Sequence, residues 1–298
     1  MPIEEITARL WPGHRAVAEP IAAGLTNQNY RVVVDGTAYF VRVPGASTDL
    51  LAVDRGNELH NTRAAAETGV GATVVAQDLE TGAFALEWID GRTMSSKAFA
   101  ADPLAPQRIA ASLRQLHAGP RFRDDFDMFR LTEFYLRVID DRAIRVPDGY
   151  RDELPKVALI EAALAAHPLA TVPCHNDLLA ENYILEGQRL RIVDYEYSGN
   201  NDPTFELGNT AQELGFDAAR QEQLCAAYFG EATPALLARM RLQMLMSDVG
   251  WTLWAAIQAA VSPIDYDFWG WAEERWGRAS TAFAAPGFDH LLAEAVAG

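Results

Sequence analysis

Asp177 and Asn182 stand with four residues between them in Cys174-His175-Asn176-Asp177-Leu178-Leu179-Ala180-Glu181-Asn182, and a second aspartate, Asp194, closes the apolar pair Ile192-Val193 further on. These residue types suit one chemistry. A carboxylate can accept the proton of an attacking hydroxyl. An amide oxygen and a second carboxylate are hard ligands of the kind magnesium prefers. A tight loop can present base and ligand into a single cleft, on opposite sides of a phosphoryl group in transfer. The pattern therefore predicts metal-assisted phosphoryl transfer to an alcohol, with Asp177 as base and Asn182 and Asp194 as metal ligands.

Such residues must be positioned. Tyr183-Ile184-Leu185 reads as a strand, Glu186-Gly187 as a turn, and residues 190–196 as a returning strand, so a hairpin would carry Asp194 back beside Asn182. Upstream, residues 30–34 and 37–43 are rich in β-branched and aromatic side chains, with Asp35-Gly36 between them, a strong hairpin signal. Alternation along 37–43 puts Phe40 and Arg42 on one face and Tyr39, Val41 and Val43 on the other. Residues 54–68 read as a helix carrying Glu58, the natural partner of Arg42 in an ion pair that anchors phosphates. Gly24, Thr26, Asn27 and Asn29 could cover phosphates with backbone and side-chain donors, although a plain hairpin turn explains the same residues. Strands at 74–79 and 83–89 follow, and position alone places Glu87 and Ile89 where a hinge would hold adenine by its main chain. Asp90-Gly91-Arg92 marks the boundary between a nucleotide-binding part, 1–89, and a catalytic and substrate-binding part, 90–298. The second part reads as helices at 104–118, 131–144, 151–166, 203–214, 217–229, 234–261 and 266–283, with one short strand pair; Asp202-Pro203 is a capped helix start.

The net charge of −16 speaks against nucleic acid as a partner and leaves an ATP-binding site to gather its positive charge locally. No apolar run reaches the length of a membrane span, and the N-terminal residues lack a signal pattern, so a cytoplasmic location is expected. Cys174 and Cys225 read as buried thiols, and the histidines show no zinc-ligand spacing. The oligomeric state is not legible.

Taken together, the His175–Asn182 loop and the segment DYEYSGNNDPTFELGN (194–209) resemble choline/ethanolamine kinases and, more distantly, aminoglycoside phosphotransferases. NELHNTRAAAETG (57–69), YFVRVPG (39–45) and the tryptophan-rich stretch 251–276 extend the resemblance over most of the chain. It implies an α+β, protein-kinase-like bilobal fold, with a small β-rich N-terminal lobe and a large, mostly helical C-terminal lobe. It also implies ATP and Mg as cofactors and a small amino alcohol as substrate. Tyr197, Glu213, Trp251 and Trp254 would then lie in or near the substrate pocket, while Trp269, Trp271 and Trp276 are expected to be core. Trp251 and Trp254 share one helix face, where aromatic rings can hold a methylated cation. Leu214 stands where an aromatic residue is often found, and another small alcohol or an aminoglycoside stays open as acceptor.

Overall fold

The computed structural model describes residues 1–298 except Ala22, Ala23, Leu25, Ala46 and Ser47. Five antiparallel strands make the first sheet: β1 (Ala16–Ile21), β2 (Gln28–Val34), β3 (Thr37–Val43), β4 (Val74–Gln77) and β5 (Phe84–Glu87), in the order β1-β2-β3-β5-β4. Asp35 and Gly36 take φ of 50° and 85°, the positive angles a type I′ turn needs, and set Val34 opposite Thr37. The β3 faces separate as the alternation requires. Val41, Tyr39 and Val43 pack with Ile6 and Leu10, while Phe40 joins Phe84, Leu86 and Ile89 on the other side.

Ile6 and Leu10 belong to α1 (Ile3–Leu10), which the sequence analysis did not anticipate. Eight residues are too few for a stable isolated helix. This one exists because its apolar side covers the sheet and Arg9 clamps Asp78 at the β4–β5 turn. The expected helix at 54–68 is α2 (Arg55–Glu67), capped by the Asp54 carboxylate accepting from Asn57 N–H at 2.7 Å.

Beyond residue 90 the chain is largely helical. It contains α3 (Ser96–Ala101), α4 (Ala105–His117), α5 (Met128–Arg142), α6 (Leu154–Ala166), α7 (Pro203–Glu213), α8 (Ala218–Phe229), α9 (Pro234–Val261), α10 (Phe268–Ala284) and α11 (Phe288–Ala297). The helix α9 is apolar nearly all round because α5, α7, α10 and α11 pack against it. Gly208 permits the α7–α9 crossing: a Cβ there would meet Met240 O at 2.6 Å.

Two expectations need correction here. Instead of one strand pair, the helical part holds a three-stranded sheet of β6 (Arg92–Thr93), β8 (Tyr183–Glu186) and β9 (Arg189–Ile192), plus a pair, β7 (Val172–Cys174) with β10 (Gly199–Asn201). Strands of two or three residues carry too little periodicity to be read in advance. The returning strand also stops at Ile192 rather than running to 196. Asp194 has φ +74°, so the ladder breaks and the chain turns at that residue.

Candidate active site

The loop bearing Asp177 is pinned by almost every backbone donor it has. His175 N–H and Asn176 N–H both donate to the Glu206 carboxylate at 2.7 Å. Asp177 N–H donates to His175 Nδ1 at 3.3 Å, and Leu178 N–H to Asn209 Oδ1 at 2.7 Å. Asn176, at φ +69°, is a residue type that tolerates this conformation, and its amide donates to Tyr197 O at 3.0 Å. His175 Nε2 donates to Val193 O at 2.8 Å, tying the loop to the segment that carries Asp194. Burial lowers the His175 pKa, so the ring is neutral and its tautomer is set by these two bonds. Behind the loop, His117 Nδ1 pairs with Tyr228 OH at 2.7 Å; His117, Cys174 and Glu206 meet there, with both Glu206 oxygens already accepting amides.

Asp177, Asn182 and Asp194 line one cavity of about 1140 Å³ between the β-rich part and the helices. Val193 N–H donates to Asn182 O at 3.0 Å, which is how the hairpin returns Asp194 to Asn182. The Asn182 amide nitrogen donates to Asp177 O at 2.7 Å, and its Oδ1 has no donor among the described residues. Burial, with the charges of Glu213, Asp194 and Glu196, raises the Asp177 pKa well above the ordinary carboxylate range, against the pull of Arg275.

Arg42 and Glu58 form the expected buried ion pair, 4% and 0% exposed. Arg42 Nη2 also lies 2.6 Å from Asp194 Oδ1, an ion pair that leaves the carboxylate further lone pairs for another ligand. An amide oxygen and an under-coordinated carboxylate fit a magnesium ion.

Gly24, Thr26 and Asn27 in the β1–β2 loop and Asn29 in β2 all line the cavity; Leu25 lies outside the described residues. Thr26 Oγ1 and Asn27 Nδ2 donate to Glu196 at 2.8 and 3.0 Å, and Arg55 reaches Glu196 at 3.2 Å and Asn27 Oδ1 at 2.8 Å. Glu196 is 6% exposed, and burial followed by the charge of Asp194 raises its pKa. Neither Glu196 nor Arg55 was singled out from sequence. The signal for Glu196 was its place two residues after Asp194; Arg55 had none beyond its charge.

Glu87 and Ile89 both line the cavity, beside Phe40, Phe84, Leu86, Ile184 and Val193. The Glu87 side chain is engaged with Arg191 at 2.7 Å. The Ile89 carbonyl accepts from Gly91 N–H at 3.0 Å, while no partner of its N–H occurs among the described residues.

Tyr197, Glu213, Trp251 and Trp254 line the same cavity, with Tyr266, Trp271 and Arg275. Tyr197 and Trp251 meet edge to face at 4.9 Å, and Trp254 Nε1 donates to Tyr197 OH at 2.7 Å. Trp251 and Trp254 are 4% and 5% exposed, so they wall the cavity and belong to the core at once. Trp271, expected in the core, packs against it and also lines the cavity, edge-on to Trp254 at 5.5 Å. Its spacing to Arg275, one helical turn, was the missed signal, since the Arg275 guanidinium lies 4.3 Å over its ring. Trp276, donating to Asp148 O, is core as expected.

With this geometry in view, a family model described as the phosphotransferase enzyme family matches residues 17–243. The crystal structure of a choline/ethanolamine kinase family protein from Mesorhizobium loti is 36% identical, covers 100% of both chains and superposes with a TM-score of 0.87. Choline kinase LicA from Streptococcus pneumoniae is 26% identical over 95% of this chain and 97% of its own, with a TM-score of 0.81. Ethanolamine kinase 2 of Mus musculus is 26% identical over 90% of this chain and 76% of its own.

Proposed function

Since this chain belongs to the phosphotransferase enzyme family, and within it to the choline/ethanolamine kinase family, we propose that it transfers the γ-phosphoryl group of ATP, with Mg²⁺, to the hydroxyl of choline or ethanolamine. The observation that carries this reading is the composition of one cavity: a base and oxygen ligands at its centre, a buried arginine–glutamate pair towards one end, and an aromatic wall at the other.

In this reading Asp177 accepts the substrate hydroxyl proton as the oxygen attacks. Asn182 and Asp194 would hold the metal. Bound magnesium would neutralise charge across the phosphates. Arg42, oriented by Glu58, contacts the phosphates, and the turn carrying Gly24, Thr26, Asn27 and Asn29 covers them. The apolar slot of Phe40, Leu86 and Ile184 takes the adenine, with the main chain of Glu87 and Ile89 as its polar contacts. Tyr197, Trp251 and Trp254 face the ammonium head, and Glu213, held by Arg275, backs them. Little covalent work falls to the protein; positioning and charge complementarity do most of it.

An ADP-release assay with choline, ethanolamine, other small alcohols and aminoglycosides, with and without Mg²⁺, tests the proposal. Turnover on choline or ethanolamine that vanishes on chelation is the expected result. Turnover confined to an aminoglycoside, or persisting without divalent metal, would overturn it.

A further inference from the structure

A primary ammonium enters a buried pocket with three N–H donors that must find acceptors or lose their hydration without return. A trimethylammonium has none and asks only for volume and aromatic faces. The carboxylates around the head end of this cavity are already paired with arginines. Both Glu213 oxygens accept from Arg275, at 2.7 and 2.9 Å. Asp248, behind that pair, accepts from Arg278 at 2.6 and 3.1 Å and from Gln212 at 2.5 Å, with Arg275 at 3.6 Å. The Tyr197 hydroxyl oxygen already accepts from Trp254 Nε1. Trp251 Nε1, buried with no partner among the described residues, is a donor and offers an ammonium nothing. Tyr266 stands at the rim, 47% exposed. Asp177 is committed to the hydroxyl end of the substrate.

What remains to meet the head, among the described residues, is the faces and edges of Tyr197, Trp251, Trp254 and Trp271. The charges there also cancel in pairs, Glu213 with Arg275 and Asp248 with Arg278, so no free carboxylate draws in a small, strongly hydrated ammonium.

We infer that the head pocket is built for a fully methylated ammonium and ranks choline above ethanolamine; this rests on the amino-alcohol kinase reading of the site. Arg275 is the specificity-determining residue, because it withdraws Glu213 from the ligand.

The test is kcat/KM at saturating MgATP for choline, N,N-dimethylethanolamine, N-methylethanolamine and ethanolamine. Efficiency falls with each methyl removed, with choline ahead of ethanolamine by about tenfold or more, the equivalent of one unmade buried hydrogen bond. Ethanolamine equal to or better than choline overturns the ranking while leaving the kinase reading intact. No ADP release with any of the four overturns both. In Arg275→Gln, which frees Glu213, the choline-to-ethanolamine ratio narrows, chiefly through a lower KM for ethanolamine. A merely structural Arg275 would weaken both substrates alike and leave the ratio unchanged, which also overturns the assignment. If that buried variant does not fold, the methylation series on the unaltered protein decides alone.

Discussion

Asp177 has surroundings that favour a base: burial and the neighbouring carboxylates raise its pKa well above the ordinary range, so once ionised it holds a proton more strongly than a free aspartate. Replacing it with asparagine keeps the shape and removes the proton acceptor. We expect Asp177→Asn to lower kcat by roughly 10²–10⁴ while nucleotide affinity, measured by calorimetry, stays near that of the parent. Asp248 makes a separate claim at the same scale. Burial pushes its pKa up to about 6, against the pull of Arg278 and Arg275. The fold therefore favours its protonated form. The stability it contributes is fully present below the unfolded value near 4 and is lost as pH rises through about 6. Compared with Asp248→Asn, the parent protein should lose roughly 2–3 kcal/mol of relative stability between pH 4 and pH 7. Denaturant melts of both proteins across that range check it, and a gap that moves the other way would show that the ion pairs outweigh burial.

Helix α7 supplies the peg on which the catalytic loop hangs. Glu206, 0% exposed, accepts two backbone amides of that loop, and hydrogen bonds to a charged group are worth roughly 1.5–3 kcal/mol each. Glu206→Gln can accept only one of the two bonds well and places an N–H against the other amide. It should cost both stability and kcat, and hydrogen exchange at His175 and Asn176 should rise. The same helix packs against α9 through Gly208, where an added methyl would meet Met240 O at 2.6 Å. Gly208→Ala should destabilise by about 1–3 kcal/mol, since backbone on the facing helix cannot yield as a side-chain tip can. Much at this scale was readable beforehand. Asp35-Gly36 specified its hairpin through φ, and Asp202 caps α7 by accepting from Thr204 N–H at 2.8 Å. The helix α1 and the short strands β6, β7 and β10 were not readable, because their stability comes from the surfaces they cover rather than from local pattern.

Across the whole molecule, the cleft is closed over by polar contacts linking its two sides: Thr26, Asn27 and Arg55 from the β-rich part and its helix, and Glu196 from the helical part. In a chain of net charge −16, Arg42 is the cation at the cavity wall beside Asp194, and Arg55 stands behind it on Glu58 and Glu196. A ligand that bridges the sides stabilises the folded state by mass action. MgATP at about a hundred times its Kd should add about 2.7 kcal/mol, raising Tm by roughly 5–10 °C. Thermal melts with MgATP, and with ATP in excess chelator, measure this; a shift that survives chelation would argue against metal-bridged phosphates.

The aspartates and asparagine of the 174–194 stretch, the Arg42–Glu58 pair and the lobe-like change from strands to helices were all legible in one dimension, because spacing, turn chemistry and periodicity are local properties. Packing alone decided what surrounds them. It brought Glu196 and Arg55 to Thr26 and Asn27, put Trp271 on the cavity wall as well as against the core, and locked Glu213 to Arg275. Those pairings join residues as many as 170 positions apart, as Thr26 and Glu196 are. No local pattern encodes which distant partner will satisfy a buried charge; the cost of leaving it unsatisfied does, and that cost exists only once the chain has closed around it.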